Sequence, residues 1–456
     1  MVQKCVVFGA GYVGIPTAIL FAEAGWDVVL VESSEARRGE LADAMEAGTD
    51  LLGEPELGPT LRACRERVQI VASADGQIRD ASIALICVGT PLRQVLQGNP
   101  KVERVDLPEL DHTAVRFSTL TAWREGPPDI AVVVRSTCSP LFVHDLLLTD
   151  ARGRPFAVVP EFLREGTALA DARNPSRLVV GNILAGDWTL AEAMVEASTC
   201  LATQLCRVLG CEDTPTIFVR PEEAAAAKLA ANALLTERVA FGLRLAALVE
   251  RELPGCDAAS VVRVLAADPR IGTGHLGAGL GAGGPCLPKD SATWNRLVGL
   301  RHDLGSDLIA PIELALEIRH AGPVDGRKVL VWGLGFKPSS PDWRDSPALR
   351  LVDDLARRGM AVYGWDPRLD PSECERALSS LPSADVIGTG APVPCPVVVL
   401  CTREQVTDAW LQDSVRDGLA ELWDPYALLG RAEARYLVEA GVRYHGGGRG
   451  AGWATG

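Results

Sequence analysis

Lys4-Cys5-Val6-Val7-Phe8-Gly9-Ala10-Gly11-Tyr12-Val13-Gly14 is the stretch whose reading decides the fold. A run of β-formers leads into a G-x-G-x-x-G turn, and residues after Gly14 take helical periodicity until Gly25. The glycines at 9 and 11 permit a tight turn and close approach of backbone to a pyrophosphate, and Gly14 lets the helix pack on the strand. A second strand-like run, Asp27–Val31, ends at Glu32, an acid placed to accept from a ribose hydroxyl. Glu32 also repels a 2′-phosphate, which favours NAD over NADP, while Arg37 can hold either a hydroxyl or a phosphate.

Outward from this unit the alternation repeats. Residues 83–88, 130–134 and 156–159 read as further strands, each followed by Gly, Pro, Ser or Glu. Ligands of open parallel sheets bind beyond the carboxyl ends of the strands, which singles out Glu32, Thr90, Thr137 and Glu161. Pro221–Glu252 is rich in Ala and Leu with no internal proline and reads as one helix, about 45 Å long at ~1.5 Å per residue. Residues 328–335 repeat the strand-and-turn pattern, and 362–366, 396–401 and Glu421–Asp424 supply more strands. The expected class is α/β, with two Rossmann-like doubly wound domains joined by a long central helix. The expected division is 1–210, 211–322 and 323–456. Pro338 stands where the second turn would need its third glycine, so no second dinucleotide site is assigned. The glycine-rich tail 446–456 is expected to be mobile.

Composition sets the class of partner. With 47% hydrophobic and 23% charged residues, the 456-residue chain is neither disordered nor fibrous. A formal net charge of -14 argues against nucleic acid as a partner. Lys228, Glu237 and Arg238 interrupt the longest Ala/Leu-rich segment, so no membrane span is expected. A strand beginning at Lys4 leaves no room for a signal peptide, and a cytoplasmic location follows as the expectation. The 12 cysteines lack CxxC pairs, so neither a metal site nor a disulfide framework is expected.

Cys286 lies in a glycine-rich loop, Gly281-Ala282-Gly283-Gly284-Pro285-Cys286-Leu287-Pro288-Lys289-Asp290. A typical cysteine is a small buried hydrophobe. Here flanking backbone can approach a ligand, Lys289 can favour a thiolate and Asp290 is near in sequence, which makes Cys286 a candidate nucleophile. Lys228 and Asn232 lie four apart on the long helix and share a face, with Thr236 one turn on. Glu161 follows a strand and Pro160, and reads either as a functional acid or as a helix N-terminal acid. Arg270 in Asp268-Pro269-Arg270 reads locally as a turn salt bridge, and Lys337 and Arg344 as surface charges.

Taken together, GAGYVG at 9–14, CVGTP at 87–91, EFLREGTALADARNPSRLVVG at 161–181, KLAANALL at 228–235, DPRIG at 268–272, GGPCLPKD at 283–290 and GLGFKPSSPDWRDSPA at 333–348 resemble the UDP-glucose/GDP-mannose dehydrogenase family over almost the whole chain. The resemblance implies a four-electron oxidation of a nucleotide sugar at its C6 alcohol, with two NAD reduced per sugar. It assigns catalysis to Cys286 as nucleophile, Lys228 and Asn232 as oxyanion stabilisers, and Thr137, Asp290 and Glu161 as holders of water. For NAD it implies Gly9, Gly11, Tyr12, Val13, Gly14, Glu32, Arg37, Thr90, Thr137, Glu165, Lys289 and Arg344. For the nucleotide-sugar substrate it implies Glu161, Phe162, Leu163, Glu165, Lys228, Asn232, Gly277, Gly279, Gly283, Phe336 and Lys337, with Arg270 offered by a neighbouring copy in a homodimer or higher homo-oligomer. UDP-glucose is the expected substrate. TDP-glucose, GDP-mannose and a UDP-N-acetylhexosamine are alternatives, as is a binder without turnover. The sequence departs from the family pattern at Val159, Gly89, Arg403 and Asp424-Pro425-Tyr426-Ala427, the last of which lacks an arginine expected to meet the nucleotide.

Overall fold

The computed structural model describes residues 3–49, 51–54, 56–97, 105–151, 154–182, 201, 203–209, 214–272, 274–298, 318, 327–382, 386–388 and 392–455. The chain divides into two compact units, Met1–Ala231 and Asn232–Gly456. The helix Pro221–Glu252 runs across the division as a single element, with the bounds that its sequence predicts. Glu222 and Glu223 occupy its first turn and Arg251 its last, each opposing the helix dipole.

In the first unit, ten strands are described: β1 (Lys4–Phe8), β2 (Asp27–Val31), β3 (Val68–Val71), β4 (Ile83–Ile86), β5 (Leu92–Gln97), β6 (Val105–Leu110), β7 (Ala131–Val134), β8 (Phe156–Val158), β9 (Leu178–Asn182) and β10 (Thr216–Val219). Eight form one sheet in the order β10-β9-β8-β7-β4-β1-β2-β3, and β5 and β6 form a separate antiparallel pair. All neighbours in the large sheet are parallel except β8 with β9. Cys5 and Val7 join the core on one face of β1, and Val6 and Phe8 join the core on the other. A strand buried on both sides needs helices over both faces, which explains its unbroken apolar run. Chain order reverses between β1 and β4, so the crevice at that switch point faces the turn after Phe8.

The second unit repeats the plan. Its strands are β11 (Lys328–Trp332), β12 (Ala361–Trp365), β13 (Val386–Gly388), β14 (Val397–Leu400), β15 (Glu421–Asp424) and β16 (Arg443–Gly446). They form a parallel sheet in the order β13-β12-β11-β14-β15-β16, a doubly wound arrangement with its switch point between β11 and β14. The turn after β11 is closed from within. Asp366 accepts from the N–H groups of Leu334 at 2.8 Å and Gly335 at 3.3 Å and is paired with Arg368, so the donors that could meet a phosphate are already used.

The tail overturns the expectation of mobility. β16 extends the sheet through Gly446, and Gly448 N–H donates to Glu250 on the long helix. Trp453 is only 8% exposed, with the Arg449 guanidinium stacked 3.9 Å from its ring centroid. The glycines are there for close packing: a Cβ at Gly450 would lie 2.1 Å from the Leu253 oxygen.

Candidate functional site

In the first unit the dinucleotide turn has the geometry its glycines imply. Gly9 has φ +95°, and a Cβ at Gly14 would lie 1.8 Å from the Gly9 oxygen. Nothing lies within 4 Å of where a Gly11 Cβ would be, which leaves an open cradle at the start of the helix Gly14–Glu23, with Val13 at its N-cap. Glu32 accepts from Ser34 N–H at 2.9 Å and Ala10 N–H at 3.3 Å, so its carboxylate is held beside the turn. Arg37 donates from Nε to the Ala10 oxygen at 3.5 Å, and its buried Nη2 has no partner among the described residues. An open cradle, a fixed acid and an orphan guanidinium nitrogen fit a dinucleotide.

The strand ends around that turn carry the other residues predicted for this unit. Thr90 is buried beyond β4 and Thr137 half-buried beyond β7. Ser136 ties the two strand ends together, donating to the Val88 oxygen at 2.8 Å. Glu161 is ion-paired with Arg135, whose side chain is 2% exposed and whose guanidinium burial lowers to about 10. Phe162 lies under two cations, with Arg177 at 3.8 Å and Lys228 Nζ at 5.2 Å from its ring centroid. Leu163 packs against the core, and Glu165 is half-buried in the same loop. Tyr12 donates its hydroxyl to the Leu52 oxygen at 2.8 Å. Sequence reasoning missed Arg135 and Arg177. A lone arginine closing the run Val132-Val133-Val134 was the available signal for the first.

In the second unit Cys286 is exposed at the N-cap of the helix Leu287–Leu297, where the positive end of the helix dipole favours negative charge. Asp290, with no exposure, accepts from Asn232 Nδ2 at 2.6 Å and from Lys289 Nζ at 2.7 Å. One turn along the long helix, the Thr236 hydroxyl meets that of Ser291, the residue after Asp290, at 2.8 Å. The structure thus brings Asn232, Lys289 and Asp290 together and sets Cys286 one helical turn away, its carbonyl accepting from Asp290 N–H at 3.0 Å.

The glycine loop packs against the rest of this unit. Gly277 is exposed; a Cβ at Gly279 would lie 2.7 Å from the Tyr426 ring, and one at Gly283 2.4 Å from Pro347. Tyr426 therefore fills space beside the loop, and burial raises its hydroxyl above the usual range. Phe336 is half-buried against Gly284, with Lys337 Nζ 5.4 Å from its ring centroid. Arg344 pairs with Asp342, and Arg270 pairs with Asp268 as its local sequence suggests. A cavity of about 690 Å³ is lined by Ala246, Gly279, Trp423, His445, Arg449 and Trp453 among others. Gly279 is the one sequence-predicted residue in its wall. No cluster of metal ligands occurs among the described residues.

Comparison with known proteins agrees along the chain. Residues 3–194 match the UDP-glucose/GDP-mannose dehydrogenase family, NAD binding domain; 222–309 match its central domain and 330–418 its UDP binding domain. The UDP-glucose 6-dehydrogenase of Rhizobium meliloti is 30% identical over 384 residues, covering 80% of this chain and 82% of that one. The UDP-glucose 6-dehydrogenase of Pseudomonas aeruginosa is 30% identical over 463 residues, 96% of this chain and 87% of that one. A solved UDP-glucose dehydrogenase from Pyrobaculum islandicum superposes with a TM-score of 0.74 at 26% identity, covering 98% of both chains.

Proposed function

The chain belongs to the UDP-glucose/GDP-mannose dehydrogenase family, NAD-dependent nucleotide-sugar 6-dehydrogenases, and we propose that its substrate is UDP-glucose, oxidised at C6 to UDP-glucuronate. The observation that carries the reading is the Asn232–Asp290–Lys289 cluster where the long helix meets the helix that Cys286 caps. That constellation suits a reaction needing a nucleophile and a charge-stabilising polar pair at one carbon. The relatives named for UDP-glucose support the choice of sugar.

Each group then has a role. NAD, when bound, supplies hydride acceptance, once for each of two oxidations. Lys228 and Asn232 stabilise the negative charge that develops on the C6 oxygen as its proton leaves. The Cys286 sulfur adds to the C6 aldehyde, forming a C–S bond, and the carbonyl oxygen takes up a proton to give a thiohemiacetal. This keeps the aldehyde from escaping. Loss of hydride and of the hydroxyl proton from that carbon leaves a thioester. Water held by Thr137, Glu161 and Asp290 attacks the thioester carbon, the C–S bond breaks, and Cys286 regains its proton. The balance is one sugar alcohol, one water and two NAD giving one carboxylate, two NADH and three protons.

The working form is proposed to be a homodimer. Leu234, Phe241 and Leu248 stand exposed at seven-residue spacing along the long helix, a stripe that a second copy of the helix can cover. Within this reading, 1–210 binds NAD, 211–322 dimerises, with Arg270 offered to the neighbouring copy, and 323–456 binds the nucleotide.

A panel of UDP-glucose, TDP-glucose, GDP-mannose and UDP-N-acetylmannosamine, followed by NADH absorbance, tests the proposal. UDP-glucose should give the highest kcat/KM and two NADH per sugar, and Cys286→Ala should abolish net turnover. A single NADH per sugar, or full turnover by Cys286→Ala, removes the covalent mechanism. A preference for another sugar, or binding without NADH formation, removes the substrate.

A further inference from the structure

Glu54 is 3% exposed, yet it carries a carboxylate. A buried acid is costly unless its oxygens are filled, and here three backbone N–H groups fill them. Oε1 accepts from Gly166 at 3.1 Å and Ala168 at 2.9 Å, and Oε2 accepts from Leu169 at 3.3 Å. These amides open the helix Ala168–Arg173, whose N-cap Thr167 makes no side-chain cap of its own. Glu54 therefore substitutes for the cap from 112–115 positions away in sequence.

The loop it fastens is 161–167, which carries Glu161, Phe162 and Glu165. Asp171 stiffens the same loop, accepting from Arg164 N–H at 2.9 Å and from its Nη2 through the other oxygen at 2.6 Å.

Glu54 is also fastened on its other side. Leu51 and Glu54 form an antiparallel bridge around a tight turn in which Leu52 has φ +62° and Gly53 φ +71°. A leucine in the left-handed region is strained, and it is held by a contact. The Leu52 oxygen accepts the Tyr12 hydroxyl at 2.8 Å, and Tyr12 sits inside the dinucleotide turn.

One continuous path of bonds thus runs from the dinucleotide turn through Tyr12, the 51–54 turn and Glu54 to the end of the 161–167 loop. We propose that Glu54 is a positioning residue and the 51–54 turn a tie, through which NAD bound at the 9–14 turn holds the 161–167 loop ready for the nucleotide sugar. Fixing the turn fixes the Tyr12 hydroxyl, which reduces the freedom of Leu52 and, two residues on, of the carboxylate that caps the loop's helix. The coupling is thermodynamic, so the sugar loop favours NAD binding as much as NAD favours the loop. The inference rests on NAD binding alone, not on the choice of UDP-glucose as substrate.

Amide hydrogen exchange of the full chain, with and without saturating NAD, reads it directly, because Gly166, Ala168 and Leu169 are themselves the donors. Saturation is confirmed for every variant by calorimetric titration. In the wild type, NAD should slow exchange at these three amides about tenfold. In Tyr12→Phe, which loses the tie whether or not NAD is bound, exchange at these amides should be at least as fast as in the NAD-free wild type, and NAD should no longer slow it. In Glu54→Leu, which keeps no acceptor, exchange at all three should be fast in both conditions. An unchanged rate at these amides on adding NAD to the wild type overturns the proposal, as does a full NAD effect in Tyr12→Phe. Protection in Glu54→Leu equal to wild type would also overturn it. None of these readings moves if the substrate panel selects a different sugar.

Discussion

Asn232 donates from Nδ2 to Asp290 across 2.6 Å, joining the long helix Pro221–Glu252 to the helix that Cys286 caps. The contact is buried, and Lys289 occupies the other carboxylate oxygen at 2.7 Å. A buried amide–carboxylate pair responds differently to two substitutions of similar size. Asn232→Asp faces Asp290 with a second carboxylate and should cost about 3–5 kcal/mol of unfolding free energy. Asn232→Ala removes one donor and should cost about 1–3 kcal/mol. Urea denaturation of both variants gives the order, and equal or inverted losses would mean that the pair does not form.

Glu32, proposed to meet the ribose of NAD, is held beside the dinucleotide turn by Ser34 N–H at 2.9 Å and Ala10 N–H at 3.3 Å. Unit charges about 5 Å apart at an effective dielectric near 20 repel by roughly 3 kcal/mol. Glu32→Ser should therefore raise the ratio of kcat/KM for NADP over NAD by about 10- to 100-fold, with Arg37 Nη2 open to meet the phosphate while Nη1 stays on Glu40. Steady-state rates with each dinucleotide measure the ratio. A ratio that stays at the wild-type value assigns the selectivity to some other group.

The sequence was most legible where one local rule decided the structure. The first two strands, Glu421–Asp424 and the 32-residue helix carry the bounds read from their patterns, because apolar runs and the absence of proline suffice there. β3, β5, β6, β9, β10, β13 and β16 escape a reading by pattern: most are short with partners from distant parts of the chain, and β5 and β6 are a polar antiparallel pair with no apolar run to mark them. The tail shows the same limit in reverse. Its glycines look like freedom in sequence, but they serve close packing against Leu253 and Pro425, which only tertiary structure discloses. At the site, single residues in recognisable motifs were legible, and their partners were not. Arg135 and Glu54 act on loops 26 and 112 or more positions away, a distance at which no spacing rule operates.

The C-terminal tail should be a stabilising part of the second unit. Arg449 donates to the Ala427 oxygen at 3.0 Å and the Leu429 oxygen at 2.6 Å, and its guanidinium covers the Trp453 ring. Gly255 N–H reaches the Ala451 oxygen at 2.8 Å, so the tail also closes on the loop after the long helix. Trp453→Ala should cost about 3–5 kcal/mol, the range for emptying a buried aromatic site. Deletion of 446–456 should cost more, because it also removes the end of β16 and leaves Asp424 of β15 without its partner. Chemical denaturation monitored by circular dichroism checks both, and a wild-type midpoint for Trp453→Ala would return the tail to the mobile state its composition implies.

His445 gives the second unit a defined sensitivity to acid. Its ring stacks on Trp423 at 3.7 Å and 8°, and burial, assisted by the nearby Arg443 charge, pushes the imidazole down to about 4. An unfolded histidine titrates near 6.5, so between the two values the unfolded chain holds a proton that the folded chain does not. Stability from this group is therefore intact above pH ~6.5, falls as the pH drops towards 4, and is fully lost below that, by an amount on the order of 1–2 kcal/mol for a ring partly open to solvent screening. His445→Phe keeps a flat ring over Trp423 and removes the titration. Its Tm should gain on the wild type as the pH falls from 7 to 4.5, and the difference should be constant above pH 7. Parallel Tm curves for the two proteins across that window would show that the imidazole takes up its proton in the folded state as readily as in water.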